Sequence, residues 1–354
     1  MNILITGGCG FIGSNLATFL KEKNPSYNII CLDNLKRRGS ELNIKRLKQR
    51  NIKFVHGDIR NIEDIKSVGN FDLLLECSAE PSIHAGYGND PSYLINTNLV
   101  GTLNCLETVR KNKSSVIFLS TSRVYPIKSI QNLPYEERET RITIPEDKNG
   151  TGWSFNGISE KFTLEGIRSL YGASKLCSEM MIQEYSFAYG INGVINRCGV
   201  VAGPWQMGKV DQGFVSLWMA AHLLDNKQLS YNGFGGKGIQ VRDVLHIKDL
   251  CSLIQLQINN IDVVNGKTYN IGGGINNSIS LVELTNKCRE ITGNSINITT
   301  FPETKPFDIP WYITDNTLIK SDLGWEPLLS INTTLSDIKE WILETKESLK
   351  SIFD

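Results

Sequence analysis

The chain has 354 residues, of which 40% are hydrophobic and 21% are charged. Its 37 basic and 37 acidic side chains cancel, so charge gives no reason to expect a nucleic-acid partner. The length supplies one or two domains with a large core, and no apolar run reaches the ~20 residues of a membrane helix.

The cysteines and histidines do not form a metal-binding pattern. Eight cysteines are scattered without C-x-x-C spacing, and four histidines form no cluster. No signal peptide is recognisable, so we expect buried thiols in the reducing cytoplasm. We therefore expect no metal cofactor and no membrane partner.

The first predicted element is a short buried strand, followed by a glycine-rich turn and a helix. The glycines follow G-x-x-G-x-x-G spacing. Gly7 allows the tight turn, Gly10 lets the backbone approach a pyrophosphate, and Gly13 lets the helix pack closely on the strand. Residues 14–20 have helical apolar spacing, and the N–H groups at the start of this helix are expected to face the phosphates. Phe11 and Ile12 are further expected cofactor contacts. This context predicts a dinucleotide site.

The second predicted strand, residues 27–32, bears on which dinucleotide binds. It ends in Asp33, 20 residues after the last glycine of the turn, where an acidic side chain accepts hydrogen bonds from the adenosine ribose. This position favours NAD, although Lys36, Arg37 and Arg38 could contact the extra phosphate of NADP or form a solvated turn. The other cofactor contacts expected here are Asn34, Arg37, Gly39, Asp58 and Ile59, of which Asp58 could equally be a plain turn residue.

Strands and helices alternate up to about residue 198, which predicts an α/β fold with a doubly wound parallel sheet, the Rossmann fold. Beyond Gly203 the pattern changes to loops, short strands and helices, as in a smaller C-terminal α+β cap. We expect residues 1–203 to bind NAD and carry the catalytic residues. Residues 204–354 should mainly bind the substrate, with the two lobes interleaved.

Tyr171 and Lys175 form the most informative pair in the chain. Residues four apart share one face of a helix, so the ammonium can lie near the phenol. A neighbouring cation lowers a tyrosine pKa from its usual ~10, because it favours the phenolate. A phenolate near neutral pH is a base suited to a sugar hydroxyl. Upstream, a predicted buried strand over residues 116–125 carries hydroxyl side chains, among them Thr121.

Together these motifs resemble the extended short-chain dehydrogenase/reductase superfamily, in particular its NAD-dependent sugar-nucleotide epimerases and dehydratases. In that family a Ser or Thr three residues before Val-Tyr completes a triad with the Tyr and Lys. The resemblance therefore implies a catalytic triad of Thr121, Tyr171 and Lys175, and a homodimer or homotetramer. It also implies further cofactor contacts at Ser78, Ala79 and Asn98.

Departures from the family pattern narrow the subfamily. Ser122-Arg123 stands where dehydratases carry Asp-Glu, so no carboxylic acid is available there to protonate a leaving hydroxyl. Val200 replaces an Asn that contacts the nucleotide diphosphate, and Pro126 replaces a glycine. The long stretch 127–168 occupies the position of the substrate loop. Segments 206–213, 238–246 and 269–273 are similar to the CDP-tyvelose (CDP-paratose) 2-epimerases.

The substrate implied by the resemblance is a nucleotide-diphosphate sugar, whose two negative charges need cationic partners. Arg242 is the leading candidate, because Arg grips phosphate oxygens bidentately; a pair with Asp243 is the alternative. Lys305 and Asp308 stand where relatives carry Arg-x-x-Asp. Further substrate contacts are expected at Ser122, His84, Gln206, Lys209, Gln212 and Gln240, with an ordinary loop or surface position as the alternative for each.

The predicted reaction is epimerisation by transient oxidation of a sugar carbon to a ketone, followed by reduction from the opposite face. Tyr171 acts first as base and then as acid, Thr121 donates a hydrogen bond to the same oxygen, and Lys175 contacts the nicotinamide ribose. The resemblance favours C2, whereas C4 is the commoner centre in the family. A reductase using exchangeable NADPH and a non-catalytic nucleotide-sensing scaffold are the rival functions.

Overall fold

Strands and helices alternate through the first part of the structure. The computed structural model describes residues 1–208, 212–224 and 228–353. In chain order its first elements are β1 (Asn2–Thr6), α1 (Phe11–Lys23), β2 (Asn28–Asp33), α2 (Leu42–Lys48), β3 (Lys53–His56), α3 (Ile62–Lys66), β4 (Leu73–Glu76), α4 (Ser92–Ile95), a π-helical turn (Asn96–Val100), α5 (Gly101–Asn112), β5 (Ser115–Thr121) and a 3₁₀ turn (Ser122–Val124).

Short strands dominate the middle of the chain, and helices return towards its end. The middle elements are α6 (Ile127–Gln131), β6 (Glu136–Glu137), β7 (Ile142–Thr143), β8 (Asn149–Gly150), β9 (Trp153–Ser154), β10 (Gly157–Ile158), α7 (Leu170–Tyr189), β11 (Gly193–Cys198), β12 (Val200–Ala202) and α8 (Phe214–Leu223). The last elements are β13 (Leu229–Asn232), β14 (Val241–His246), α9 (Ile247–Asn259), α10 (Ile261–Val264), β15 (Thr268–Ile271), β16 (Ser278–Ser280), α11 (Leu281–Thr292), β17 (Ile298–Phe301), β18 (Trp311–Tyr312), α12 (Thr317–Leu323), α13 (Ile331–Glu344) and α14 (Lys346–Phe353).

Seven strands form the central sheet in the order β15-β11-β5-β4-β1-β2-β3. The parallel sheet with flanking helices confirms the predicted doubly wound Rossmann fold. The strand order reverses between β1 and β4, and ligands bind such sheets beside this point, at the carboxyl ends of the strands. Register places Thr6, the last residue of β1, beside Glu76, the last residue of β4, and Glu76 beside Phe118 in the middle of β5.

One core cluster lies between this sheet and the helices on one of its faces. Leu4, Leu74 and Phe118 contribute from the strands, and Leu106 and Ile182 from α5 and α7. The buried strands read as continuous apolar runs, because both faces of a parallel sheet are covered. This packing fixes α7, the helix that carries Tyr171 and Lys175, on the sheet.

The chain divides into two compact units that alternate along the sequence. The first unit comprises Met1–Val124, Ser169–Arg197 and Leu250–Tyr269, and the second comprises Tyr125–Arg168, Cys198–Asp249 and Asn270–Asp354. Each unit is therefore assembled from three separate stretches of the chain. Most of α9 returns to the first unit, where Asn24 donates a hydrogen bond to Gln255.

The stretch 127–168 is built into the second unit through backbone hydrogen bonds. Ile142 donates to the carbonyl of Ile239, and Ile158 donates to the carbonyl of Ile313, each at 2.8 Å. A side chain at Gly157 would collide with the backbone of residues 313–315. The stretch is therefore an integral part of the second unit.

Two predicted elements end earlier than the sequence pattern indicates. The strand predicted over 116–125 ends at Thr121, because the chain enters the 3₁₀ turn at the carboxyl end of β5. The helix predicted over 333–351 is two helices, α13 and α14. At the junction Thr345 leaves the helical conformation and its hydroxyl bonds back to the carbonyl of Trp341.

Candidate active site

The glycines of the turn after β1 have little room for a Cβ. Gly7 adopts the left-handed conformation, with φ of 62°, and a Cβ there would lie 2.9 Å from the carbonyl oxygen of Cys77. A Cβ on Gly13 would lie 2.3 Å from the carbonyl oxygen of Gly7. Gly10 caps α1 and donates its N–H to Gly7. This bare backbone, at the N-terminus of a 13-residue helix, fits a pyrophosphate.

Asp33, at the end of β2, is fixed against this turn by two backbone N–H groups. Cys9 donates to Oδ2 at 2.9 Å and Leu35 donates to Oδ1 at 2.8 Å. Burial raises the pKa of the Asp33 carboxyl, and these N–H groups oppose the rise. Each carboxylate oxygen retains a lone pair with which it could accept a ribose hydroxyl.

Asn34 and Asp58 form a second polar cluster beyond β2. Asn34 donates to Asp58 at 2.9 Å, and Arg60 pairs with the same carboxylate at 2.7 Å. Burial alone would raise the pKa of Asp58, but the hydrogen bonds from Arg60 and Asn34 outweigh it and lower the pKa to about 2. The side chain of Ile59 packs into the core, where a Cβ on Gly101 would lie 2.5 Å from it.

Some of the basic residues after β2 interact with other residues of the protein. The ammonium of Lys36 lies 4.1 Å from the centre of the Tyr93 ring, and the guanidinium of Arg60 lies 4.7 Å from it. Arg37 is half-buried, and its carbonyl accepts from Ser40. Lys36 is thus engaged in a cation–π contact.

Asn98 links the loop after β4 to α7. It is fully buried in the π-helical turn and exchanges hydrogen bonds with the backbone of Glu80, donating at 3.1 Å and accepting at 2.8 Å. It also donates to the hydroxyl of Ser174, next to Lys175. Such π-turns are often found at functional sites. Asn98 therefore has a positioning role that its sequence motif did not indicate.

The catalytic candidates lie on β5 and on the first turns of α7. Thr121 is the last residue of β5, is buried, and accepts from the N–H of Arg123 at 3.2 Å. Ser169 caps α7 by accepting from Gly172, and Tyr171 and Lys175 follow one turn apart. α7 packs on β5 and on the 3₁₀ turn that follows Thr121.

Lys175 is only 2% exposed and contacts one residue of β4 and one of β5. Its ammonium is 3.8 Å from the centre of the Phe118 ring on β5 and 3.9 Å from Oε2 of Glu76 on β4. Glu76 was not singled out from the sequence. The signal was available, because a carboxylate ending the apolar run 73–75 has to be buried.

The loop after β4 carries three further candidates. Ser78 donates its N–H to Glu76 at 3.0 Å, and Ala79 follows it. His84 donates its N–H to Ser82, and its side chain is half-buried. A Cβ on Gly86 would lie 2.8 Å from Leu170, so this loop rests on the start of α7. Ser122 is half-buried in the 3₁₀ turn after Thr121.

In the second unit the structure brings Arg242 together with the segment of Asp308. Arg242 donates to the carbonyls of Val241 at 2.7 Å and of Ile309 at 2.8 Å. Asp243 points to the opposite side of β14, as strand alternation requires, and accepts from the N–H groups of Gly274 and Thr314.

The glutamines are engaged mainly with the protein itself. Gln206 donates to the carbonyl of Val201 and accepts from the hydroxyl of Ser216, both at 2.9 Å, so it organises its own loop. Gln240 donates to the carbonyl of Asn232, while its buried Oε1 has no hydrogen-bond partner among the described residues. Gln212 is half-buried. Lys209 lies outside the described residues.

Comparison with known proteins decides the family. The profile of the NAD dependent epimerase/dehydratase family matches residues 3–272. The chain belongs to this family. It is 33% identical to the CDP-paratose 2-epimerase of Salmonella typhi, over 96% of this chain and 99% of that protein. It is 26% identical to a dTDP-glucose 4,6-dehydratase of Salmonella typhimurium, over 99% and 95% of the two chains.

Solved structures of this epimerase/dehydratase family have the same fold. UDP-glucuronic acid 4-epimerase of Bacillus cereus, in complex with UDP-glucuronic acid and NAD, aligns with a TM-score of 0.78 at 25% identity, covering 97% of this chain and 99% of that one. dTDP-glucose 4,6-dehydratase of Bacillus anthracis, in complex with NAD, aligns at 0.77 and 26%, covering 99% of each chain. NAD as cofactor and the predicted enzyme class, an NAD-dependent sugar-nucleotide epimerase, are thereby confirmed.

The described residues contain neither a membrane-spanning helix nor a cluster of metal-binding side chains. No described helix is long and apolar enough to cross a membrane. Within residues 1–208, 212–224 and 228–353, no group of three or more His, Cys, Asp or Glu is placed to hold a metal ion.

Proposed function

We propose that the protein inverts C2 of a CDP-linked deoxysugar, as a CDP-paratose/CDP-tyvelose 2-epimerase. The observation that carries the proposal is that α7, with Tyr171 and Lys175, packs on the end of the chain segment containing Thr121, where Ser122-Arg123 stands in place of the acidic pair of dehydratases. Similarity at 33% identity to a CDP-paratose 2-epimerase supports this substrate class. A dehydratase would need a carboxylic acid next to Thr121 to expel water, and neither following side chain can supply one.

Each residue of the triad has a separate role in the proposed epimerisation. Tyr171 removes the proton of the C2 hydroxyl in the first half of the cycle and returns it in the second. Thr121 donates a hydrogen bond to the same oxygen, and Lys175 favours the phenolate by its charge. When bound, NAD accepts the hydride in the first half and donates it in the second. The glycine turn and Asp33 would hold the cofactor, with Ser78, Ala79 and Asn98 shaping its nicotinamide end.

A panel of sugar nucleotides tests the substrate assignment. We expect CDP-paratose and CDP-tyvelose to interconvert, with inversion at C2 seen by proton NMR, and dTDP-glucose to remain unchanged. Inversion of UDP-glucose or UDP-glucuronic acid at C4 would instead select a 4-epimerase, which similarity to the Bacillus cereus enzyme favours. Loss of water from dTDP-glucose would contradict both assignments.

Arg242 is proposed to bind the diphosphate. Replacing it with leucine should raise the KM for the sugar nucleotide about 10- to 100-fold and leave kcat nearly unchanged, because a charge-assisted hydrogen bond contributes about 1.5–3 kcal/mol. Steady-state kinetics measures the change. Arg138→Leu is the matched control, since that side chain is 63% exposed in a loose pair with Glu136. A lowered melting temperature with an unchanged KM would show that Arg242 only stabilises the fold, through its hydrogen bonds to the carbonyls of Val241 and Ile309.

We also propose a homodimer formed through α5 and α7, with a homotetramer of such dimers as the alternative. Phe187 is 91% exposed and Met180, seven residues earlier on the same face, is 57% exposed. Phe187→Glu should reduce the oligomer to monomers in sedimentation velocity. Leu328→Glu, a control in the second unit that is 80% exposed, should not. A monomeric wild-type protein would contradict the proposal.

A further inference from the structure

Glu76 is a buried carboxylate that the proposed chemistry does not yet use. It ends β4, is 1% exposed, and lies in register between Thr6 of β1 and Phe118 of β5. Its Oε1 accepts from the N–H of Ser78 at 3.0 Å and from the hydroxyl of Thr6 at 3.4 Å. Its Oε2 has no hydrogen-bond partner among the described residues and faces Lys175 at 3.9 Å.

Two other titratable side chains of the described residues lie on helices beside this pair. On α5 the Cys105 thiol is fully buried, and burial raises its pKa well above the usual value, so it stays neutral. On α7 Glu179, one turn beyond Lys175, pairs with Arg197 at 2.7 Å and accepts from Ser120. Burial raises the pKa of Glu76, and the Lys175 ammonium opposes the rise.

An ammonium as deeply buried as that of Lys175 loses its proton unless a counter-charge or aromatic face compensates for lost water. Phe118 supplies the aromatic face. Glu76 supplies the counter-charge. The carboxylate oxygen that faces the ammonium is Oε2, which has no hydrogen-bond partner among the described residues. Removing one partner of such a buried pair leaves the other uncompensated.

We propose that Glu76 is a positioning residue, whose carboxylate keeps the Lys175 ammonium protonated and so keeps Tyr171 a competent base. The proposal rests on the proposed function in assigning Tyr171 its role. Glu76→Gln retains the shape and the acceptor for Ser78 but removes the charge. Lys175 then loses its proton more readily, and without the neighbouring cation the pKa of Tyr171 rises.

The test is an ultraviolet titration of tyrosinate in the NAD-loaded protein. Each variant is titrated with and without the additional substitution Tyr171→Phe, and the difference between the two curves is the signal of Tyr171. For Glu76→Gln we expect the midpoint of Tyr171 to rise by about one pH unit, and the ascending limb of the pH–rate profile to move with it. Glu76→Asp, which keeps the charge, should stay close to wild type. An unchanged midpoint, or a shift to lower pH, would overturn the proposal.

Two further variants guard against trivial outcomes. Glu107→Gln removes a carboxylate that pairs with Arg110 on α5, and the Tyr171 midpoint should not move. If Glu76→Gln fails to fold, adding Lys175→Met should restore folding, because no buried charge is then left uncompensated; a double variant that also fails to fold overturns the proposal. The titration needs no substrate, so absence of epimerase activity would defeat the proposed function and leave this test standing.

Discussion

Tyr171→Phe is expected to lower kcat/KM about 10³-fold while leaving the fold and the bound NAD in place. The substitution removes the one hydroxyl proposed to take and return the substrate proton, and general acid–base catalysis contributes typically 10²–10⁴-fold. Initial rates of C2 inversion, measured on protein of checked NAD content, give the loss.

A second tyrosine on the same helix provides the control. The hydroxyl of Tyr185 bonds to Glu107 at 2.7 Å, away from the proposed base. Tyr185→Phe removes an equivalent hydroxyl and should change kcat/KM less than twofold. If both variants kept wild-type activity, Tyr171 would not be the base.

Gly13→Ala should abolish retention of NAD and destabilise the first unit. The new methyl group would lie 2.3 Å from the carbonyl oxygen of Gly7, a backbone atom that cannot swing aside. The helix must therefore move away from the turn that is proposed to hold the pyrophosphate. We expect the NAD content of purified protein to fall at least tenfold, and the free energy of unfolding to fall by about 1–3 kcal/mol.

Gly190→Asn is the matched control for this substitution. Gly190 ends α7 with φ of 67°, a conformation that asparagine tolerates, and a Cβ there would meet nothing within 4 Å. This variant should keep its NAD. Normal NAD content in Gly13→Ala would mean that the glycine turn is not the cofactor site.

Local motifs in the sequence predicted much of the fold and indicated the proposed cofactor site. The glycine turn, Asp33 at the end of β2 and the i, i+4 spacing on α7 each depend on neighbouring residues, so their geometry follows from short segments. The alternation of strands and helices then predicted the parallel sheet.

Features that depend on distant residues were not predictable in this way. Glu76 and Lys175 are 99 positions apart and meet because α7 packs on the sheet that contains β4. The π-helical turn around Asn98 is stabilised by hydrogen bonds to Glu80 and Ser174, which no local propensity reveals. The incorporation of residues 127–168 into the second unit likewise depends on backbone partners more than 90 residues away.

The central claim is that the hydrogen removed from C2 of the sugar is returned to the same carbon. An isotope experiment tests this claim directly. The purified protein, with no cofactor added, is incubated with CDP-paratose in D₂O and the products are analysed by proton NMR. The account predicts conversion to the C2 epimer with protium retained at C2. Deuterium at that carbon, or a reaction that proceeds only with continuous consumption of NADPH, would contradict it.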